Sequence, residues 1–224
     1  MKKNYLKKNF QYWQKGYYAP NIEPAVFRFY GQFIKKKLKK KINLLDFGCG
    51  QGSAVNFFNQ QKINAYGVDI SKKDISVAKK KYKKIKSKFF FTKDLNEFKI
   101  NIKKKKFDII TCIQSLYYLS DDDFKLYINY FDQILKNNGI IYATMISSKS
   151  SLNSNKQNKD GLTLVDKDNF KKIEKHYINF TKSYDHLHKK FRKFKILNSG
   201  YYSFCLDKKN DVNHHYLVIC KKTR

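Results

Sequence analysis

The sequence is short of the residues that mark several function classes. Its cysteines, Cys49, Cys112, Cys205 and Cys220, stand far apart with no C-x-x-C pair. That spacing argues against a disulfide framework or a zinc site and points to a reducing compartment, the cytoplasm. Pro20 and Pro24 are the only prolines, and Arg28, Arg192 and Arg224 the only arginines. No stretch of about 18 apolar residues occurs, so no membrane-spanning helix is expected. The opening MKKNYLKKNFQYWQKG is basic but has no apolar segment of the secretory type. No internal repeat is visible.

Charge of one sign dominates: 48 Lys+Arg face 18 Asp+Glu, a formal +30 at pH 7. Such an excess first suggests nucleic acid. Recognition of phosphates and bases, however, favours the planar fork of arginine, and the cations here are lysines. The lysines keep company with Asn, Ile, Phe and Tyr, which share AT-rich codons, so compositional bias accounts for them. Nucleic acid is therefore not the expected partner, whereas an anionic small molecule is. The 224 residues, 42% apolar, suit one domain with an elaboration.

Residues 1–40 read as a helical, aromatic-rich entry segment, with a second amphipathic stretch from Ala25 to Ile34. Ile42–Phe47 is a short apolar run stopped by glycines, the pattern of a buried parallel strand. Ser53–Gln61 reads as a helix, Ala65–Ile70 as a second strand and 72–86 as a second helix. Phe89–Thr92 and Phe107–Ile113 are further strands. Asp121–Leu135 is a helix with an acidic first turn, followed by strand Ile140–Ile146 after Asn138-Gly139. Strands alternating with helices predict βαβ units and a parallel sheet. Ser147–Asp160 reads as a loop and 167–193 as helical. Tyr201–Leu206 and His214–Cys220 read as an antiparallel hairpin. The domain proper is 41–224, with 147–193 as an insertion on the substrate side.

The informative stretch is Asp46-Phe47-Gly48-Cys49-Gly50-Gln51-Gly52. Glycines at the carboxyl end of a strand let the backbone turn tightly and approach a ligand. Amide groups opening the next helix favour a negative group. Asp69, with Ile70 beside it, closes the second strand, where an acid can accept bonds from a ribose diol. The dinucleotide pattern G-x-G-x-x-G fails in both registers, ending at Ser53 or Val55, and there is no G-K-[ST]. Asp46 sits poorly beside a pyrophosphate and suits a ligand with an ammonium end.

These residues resemble the first motif of class I S-adenosylmethionine-dependent methyltransferases, D/E-x-G-x-G-x-G after strand one, and the resemblance extends over roughly 42–220. It implies an α/β, Rossmann-like sheet of seven mostly parallel strands, the last antiparallel, with helices on both faces and an N-terminal helical lid. It implies S-adenosylmethionine as cofactor, S-adenosylhomocysteine as product, and Asp69 as the ribose acid. Asp94 would meet the adenine amino group with Leu95 against the ring, and Ile113, Gln114 and Ser115 would border the methionine end and the substrate. Cys49 sits beside the cofactor as a small packing residue. Trp13 and Tyr18 would cover the cofactor, and Tyr17 and Arg28 would meet the substrate.

No [DN]-P-P-[YF] follows strand four and no Pro-Cys pair occurs, which removes the amine and cytosine-5 classes in their usual forms. Methyl transfer to a neutral hydroxyl profits from a base. His176, His186 and Tyr117 are the candidates, while His214 and His215 read as structural; no metal is expected. The expected activity is O-methylation of a small metabolite, with a sugar, nucleotide-linked or phosphate-bearing glycan precursor as the substrate, similar to polysaccharide-pathway members. An RNA or protein methyltransferase, or a cofactor-binding protein without turnover, stays open as an alternative. The oligomeric expectation is a monomer or homodimer.

Overall fold

The computed structural model describes residues 2–16, 21–37, 41–153, 160–168, 173–205 and 212–223; Tyr17 and Tyr18 lie outside these. The chain runs through α1 (Lys2–Gln14), α2 (Pro24–Phe29), β1 (Asn43–Phe47), α3 (Ser53–Gln60), β2 (Asn64–Asp69), α4 (Lys72–Lys81), β3 (Phe89–Phe91) and α5 (Leu95–Asn101). It continues through β4 (Phe107–Cys112), α6 (Asp121–Ile134), β5 (Leu135–Ile146), β6 (Thr163–Asp168), β7 (Ile173–Ile178), α7 (Tyr184–Lys190), β8 (Lys195–Cys205) and β9 (Val212–Lys221). One sheet takes seven strands in the order β3-β2-β1-β4-β5-β9-β8, and β6 and β7 form a separate pair. The first five strands of the large sheet are parallel, and β9 is antiparallel to both β5 and β8.

The period of two in the central strands explains why helices cover both faces. Leu45, Val68, Ile110 and Ile141 point into one core with Phe98, Phe124 and Phe131 of α5 and α6. Leu44, Ala65, Ile109 and Tyr142 point into the other, with Phe29, Val55, Phe58 and Ile75 of α2, α3 and α4. Each fully buried phenylalanine of this kind contributes about 1.5–3 kcal/mol relative to exposure. Helix α6 starts where it does because the Ser120 hydroxyl accepts the Asp123 N–H at 3.2 Å, with Asp121–Asp123 filling its first turn.

Three expectations need correction. The 167–193 stretch is not one helical region: Thr163–Asp168 and Ile173–Ile178 pair as an antiparallel hairpin, and only Tyr184–Lys190 is α-helical. Alternation decides it, since Thr163, Val165, His176 and Ile178 are buried and Leu164 and Lys175 are exposed. Helix α5 was not expected, and it is nucleated by Asp94, whose side chain accepts the Glu97 N–H. Strand β8 starts at Lys195, earlier than Tyr201.

Candidate active site

Strand order reverses between β1 and β4, and in a doubly wound sheet ligands sit outside the carboxyl ends of strands at that point. A cavity of about 320 Å³ opens there. Its floor is the β1–α3 loop. Gly48, Gly50 and Gly52 all have positive φ, +78°, +50° and +80°. The Gly48 and Cys49 amides donate to the Val68 carbonyl at 2.9 and 3.0 Å, which folds the loop back over β2. A Cβ at Gly48 would lie 2.4 Å from the Ser115 Cβ, and one at Gly52 would lie 2.5 Å from the Phe89 ring, whereas one at Gly50 would meet nothing within 4 Å. The loop is therefore packed at its ends and open at its middle, where a ligand can approach the backbone.

Asp69 stands at the end of β2. Its carboxylate accepts the amides of Gly50 and Ser71, each at 2.7 Å, so the acid and the glycine loop are fixed to one another. Burial raises its pKa to about 6 despite those two bonds. Asp46 is more deeply placed, and burial raises it to about 7, partly offset by the Thr111 hydroxyl that donates to it at 2.7 Å. Glu23 and Asp74 also line the cavity, and among the described lining residues there is no lysine or arginine. The expectation that the lysines would make this pocket welcome an anion does not fit that wall.

Stability should report the burial of Asp46. Asp46 has a native pKa of about 7 against 3.8 for the free side chain, so the folded state holds more protons than the unfolded one between those values. The stability of the neutral form is present at low pH and is lost as pH rises from about 4 to about 7. Asp46→Asn keeps an oxygen for Thr111 and removes the titration. Thermal unfolding without cofactor should show Asp46→Asn more stable than wild type by about 1–2 kcal/mol at pH 5 and by about 3–4 kcal/mol at pH 8. Parallel pH profiles for the two proteins would remove this account.

The other walls come from three segments. After β4, Ile113, Gln114, Ser115 and Tyr117 border the cavity, and the Gln114 amide is held by the Thr144 hydroxyl at 2.8 Å. Helix α1 contributes Asn9, Tyr12 and Trp13. It is fastened by Asn9, whose side chain donates to the Tyr118 and Tyr177 carbonyls at 2.9 and 3.1 Å and accepts the Tyr177 N–H at 2.8 Å. Gln14 bonds the Ile70 carbonyl at 2.7 Å. Trp13 meets Tyr118 edge-on, with ring centroids 4.9 Å apart, and Tyr12 stacks on His176 at 4.2 Å. From β7 and β9 come His176 and His215.

Of the candidates named from the sequence, the structure thus brings Trp13, Asp46, Gly48, Cys49, Gly50, Asp69, Ile70, Ile113, Gln114, Ser115, Tyr117 and His176 to one cavity. The others are placed elsewhere. Gly52 lies under the loop against Phe89. Asp94 is exposed and caps α5, and Leu95 packs on the core; Thr92 is the β3-end residue that lines the cavity. His186 accepts the Lys182 N–H at 3.2 Å near Asp121 and Lys190, away from the lining. Arg28 is exposed on α2. Burial holds the Cys49 and Cys112 thiols well above the usual cysteine range, which makes them protonated packing groups. His215, read as structural, lines the cavity. Its signal was a histidine at an inward position of an alternating strand, legible only once β9 is placed beside β5.

A glycine loop between β1 and α3, an acid at the end of β2 and the 3-2-1-4-5 strand order with an antiparallel insertion define the class I methyltransferase architecture. The chain belongs to the methyltransferase domain family, whose model matches residues 16–190; this is the S-adenosylmethionine-dependent class. A ubiquinone biosynthesis O-methyltransferase of Pelagibacter ubique is 33% identical over 135 residues, covering 57% of this chain and 55% of that protein. The chain thus spans about half the length of that relative. Among solved structures, an S-adenosylmethionine-dependent methyltransferase from Clostridium acetobutylicum superposes with TM-score 0.66 at 20% identity, covering 96% and 97% of the two chains. The magnesium protoporphyrin IX methyltransferase of Synechocystis PCC 6803, solved with S-adenosylhomocysteine, gives 0.64 at 16% identity over 99% and 97%. At these identities the structural likenesses speak for the fold. No helix among the described residues is long and apolar enough to cross a membrane.

Proposed function

We propose that this protein methylates a hydroxyl group of a small molecule, with S-adenosylmethionine held across the β1–α3 loop. The observation that carries the reading is the open middle of that loop at Gly50, tied at 2.7 Å to an acid that faces the same cavity. When bound, the cofactor supplies an electrophilic methyl group on a sulfonium. The chain's residues then have separate tasks. Asp69 accepts from the ribose hydroxyls, and Asp46 gives a negative environment to the amino-acid end. Tyr12 and Trp13 of α1 present aromatic surface that can attract a cation and keep water out, so that α1 serves as the lid.

Oxygen as the acceptor atom is supported by the name of the Pelagibacter relative over the part of the chain that it matches. A sugar-phosphate or nucleotide-linked precursor finds no support in a lining without lysine or arginine among the described residues. A neutral hydroxyl suits that wall better. Free cysteines at all four positions suit a reducing compartment such as the cytoplasm. Calorimetry with the full chain tests the cofactor assignment. S-adenosylhomocysteine should bind in the micromolar range or tighter, and NAD should not bind. NAD binding without the homocysteine nucleoside would refute the reading.

A further inference from the structure

We infer that His215 is the proton acceptor for the substrate hydroxyl, in a subsite that it forms with Gln114, Ser115 and Tyr117, its ring backed by Tyr202. The inference rests on the methyltransferase reading above and assigns a residue that the sequence had set aside as structural.

The starting observation is a set of orphaned polar atoms. His215 is 2% exposed, yet neither ring nitrogen has a hydrogen-bond partner among the described residues, and the Ser115 hydroxyl is likewise buried without one. Leaving a buried donor or acceptor unsatisfied is costly, and in native structures such groups call for a cause. Both residues contribute to the lining of the same cavity, so a small rotation of either side chain towards a bound hydroxyl compound would give these atoms a partner.

Position follows from the sheet. Strand β9 lies beside β5 with His215 opposite Ile146, which places the imidazole beyond the carboxyl end of the central strands. Its ring stacks on Tyr202, with centroids 5.1 Å apart and planes 10° from parallel, and Tyr117 lies on another side at 5.8 Å. Tyr202 in turn receives a hydrogen bond from the Gln114 side chain at 3.4 Å. The contacts continue to the cofactor loop, because Gly48 leaves no room for a Cβ against Ser115. The imidazole is thus separated from the glycine loop by the segment after β4, where the reacting end of the cofactor would face.

Protonation state agrees with the role. Burial, reinforced by the neighbouring His214, lowers His215 to about 4. Tyr117, Tyr202 and His214 are the titratable groups packed around it. The ring therefore keeps a free lone pair at neutral pH. The cavity presents Tyr12, Trp13, Tyr117 and Tyr118 and no lysine or arginine among its described lining residues, which suits a neutral hydroxyl carried on a flat aromatic ring. In the step, the hydroxyl proton goes to the unprotonated ring nitrogen. The oxygen uses the freed pair for the new C–O bond, and the pair of the broken C–S bond leaves with sulfur. His176 is the rival, but its ring is packed between Tyr12 and Tyr118 as part of the α1–β7 wall.

The test uses the full chain, S-adenosylmethionine and a panel of neutral phenols (phenol, catechol and guaiacol) with their carboxylated counterparts. His215→Phe keeps a ring between Tyr117 and Tyr202 and removes both nitrogens. Wild type should methylate at least one neutral phenol. The variant should lose at least a hundredfold in kcat, bind S-adenosylhomocysteine within twofold of wild type by calorimetry, and recover rate steadily from pH 7 to pH 10 as the phenol ionises by itself. Wild-type kcat in the variant, a flat pH profile at reduced rate, or no turnover of any neutral phenol by a wild type that binds S-adenosylhomocysteine would each overturn the inference. Failure of wild type to bind S-adenosylhomocysteine would instead bring down the methyltransferase reading on which it stands.

Discussion

Asp69→Ala should weaken S-adenosylhomocysteine binding more than a hundredfold at neutral pH while leaving the fold intact. A charged acceptor facing two hydroxyls forms bonds worth roughly 1.5–3 kcal/mol each, and every 1.4 kcal/mol is about a factor of ten. The substitution also releases the Gly50 amide that Asp69 holds at 2.7 Å, so the loop loses its tether to β2. Asp69→Asn separates the two contributions, because the amide oxygen can keep one backbone bond while the charge is gone; its loss should be smaller, about tenfold. Burial places the wild-type acid at about 6, so the wild-type affinity should itself decline below that pH as the carboxyl protonates. Calorimetry across pH 5–8 reads all three. A dissociation constant in the folded Ala variant equal to wild type would show that Asp69 does not hold the ribose.

Gly52→Ala should cost the protein about 2–4 kcal/mol and lower its Tm by ~5–15 °C. The residue caps α3 with φ +80°, a conformation that a Cβ disfavours, and the new methyl would meet the Phe89 ring at 2.5 Å and Ala78 at 3.1 Å. Phe89 is itself 1% exposed, so the ring has little room to withdraw. Gly50→Ala is the matched control, since it too has positive φ but faces open space. It should lose about 1–2 kcal/mol, with its larger effect on cofactor affinity. Thermal unfolding of both variants without ligand decides the matter, and equal losses would mean that the Phe89 contact is relieved at no cost.

Much of the central sheet could be read directly. The runs at Leu44–Phe47, Phe89–Phe91 and Ile109–Cys112 place apolar residues on both faces, as a short buried strand requires, and the glycine spacing marked the cofactor end. Other parts were hidden for physical reasons. Asp94 carries the residue type expected of an adenine partner, and one of its carboxylate oxygens also caps α5, a helix that the sequence pattern did not reveal. The β6–β7 hairpin is rich in lysine and interrupted by polar residues, so the alternation that buries Val165 and His176 was masked by composition. His215 was missed because its meaning depends on β9 entering the sheet between β5 and β8, a long-range fact that no local pattern records. The anionic-substrate expectation rested on net charge, which says how many lysines there are and not that none of them lines the cavity among the described residues.

The placement of β9 bears on how this protein is made. A ribosome delivers β8 before β9, yet among the described strands β8 is paired with β9 alone. Until residues 212–221 have emerged, β8 has no edge to join, and β5 presents a bare, apolar border. The hairpin therefore docks as a unit, late, and with contacts of high sequence separation, the kind that slow folding. Helix α1 waits as well, because Asn9 is anchored to Tyr118 and Tyr177. Helix α1 and strand β9 thus complete the cavity lining together, and a nascent chain that carries the complete glycine loop still lacks the wall that β9 supplies.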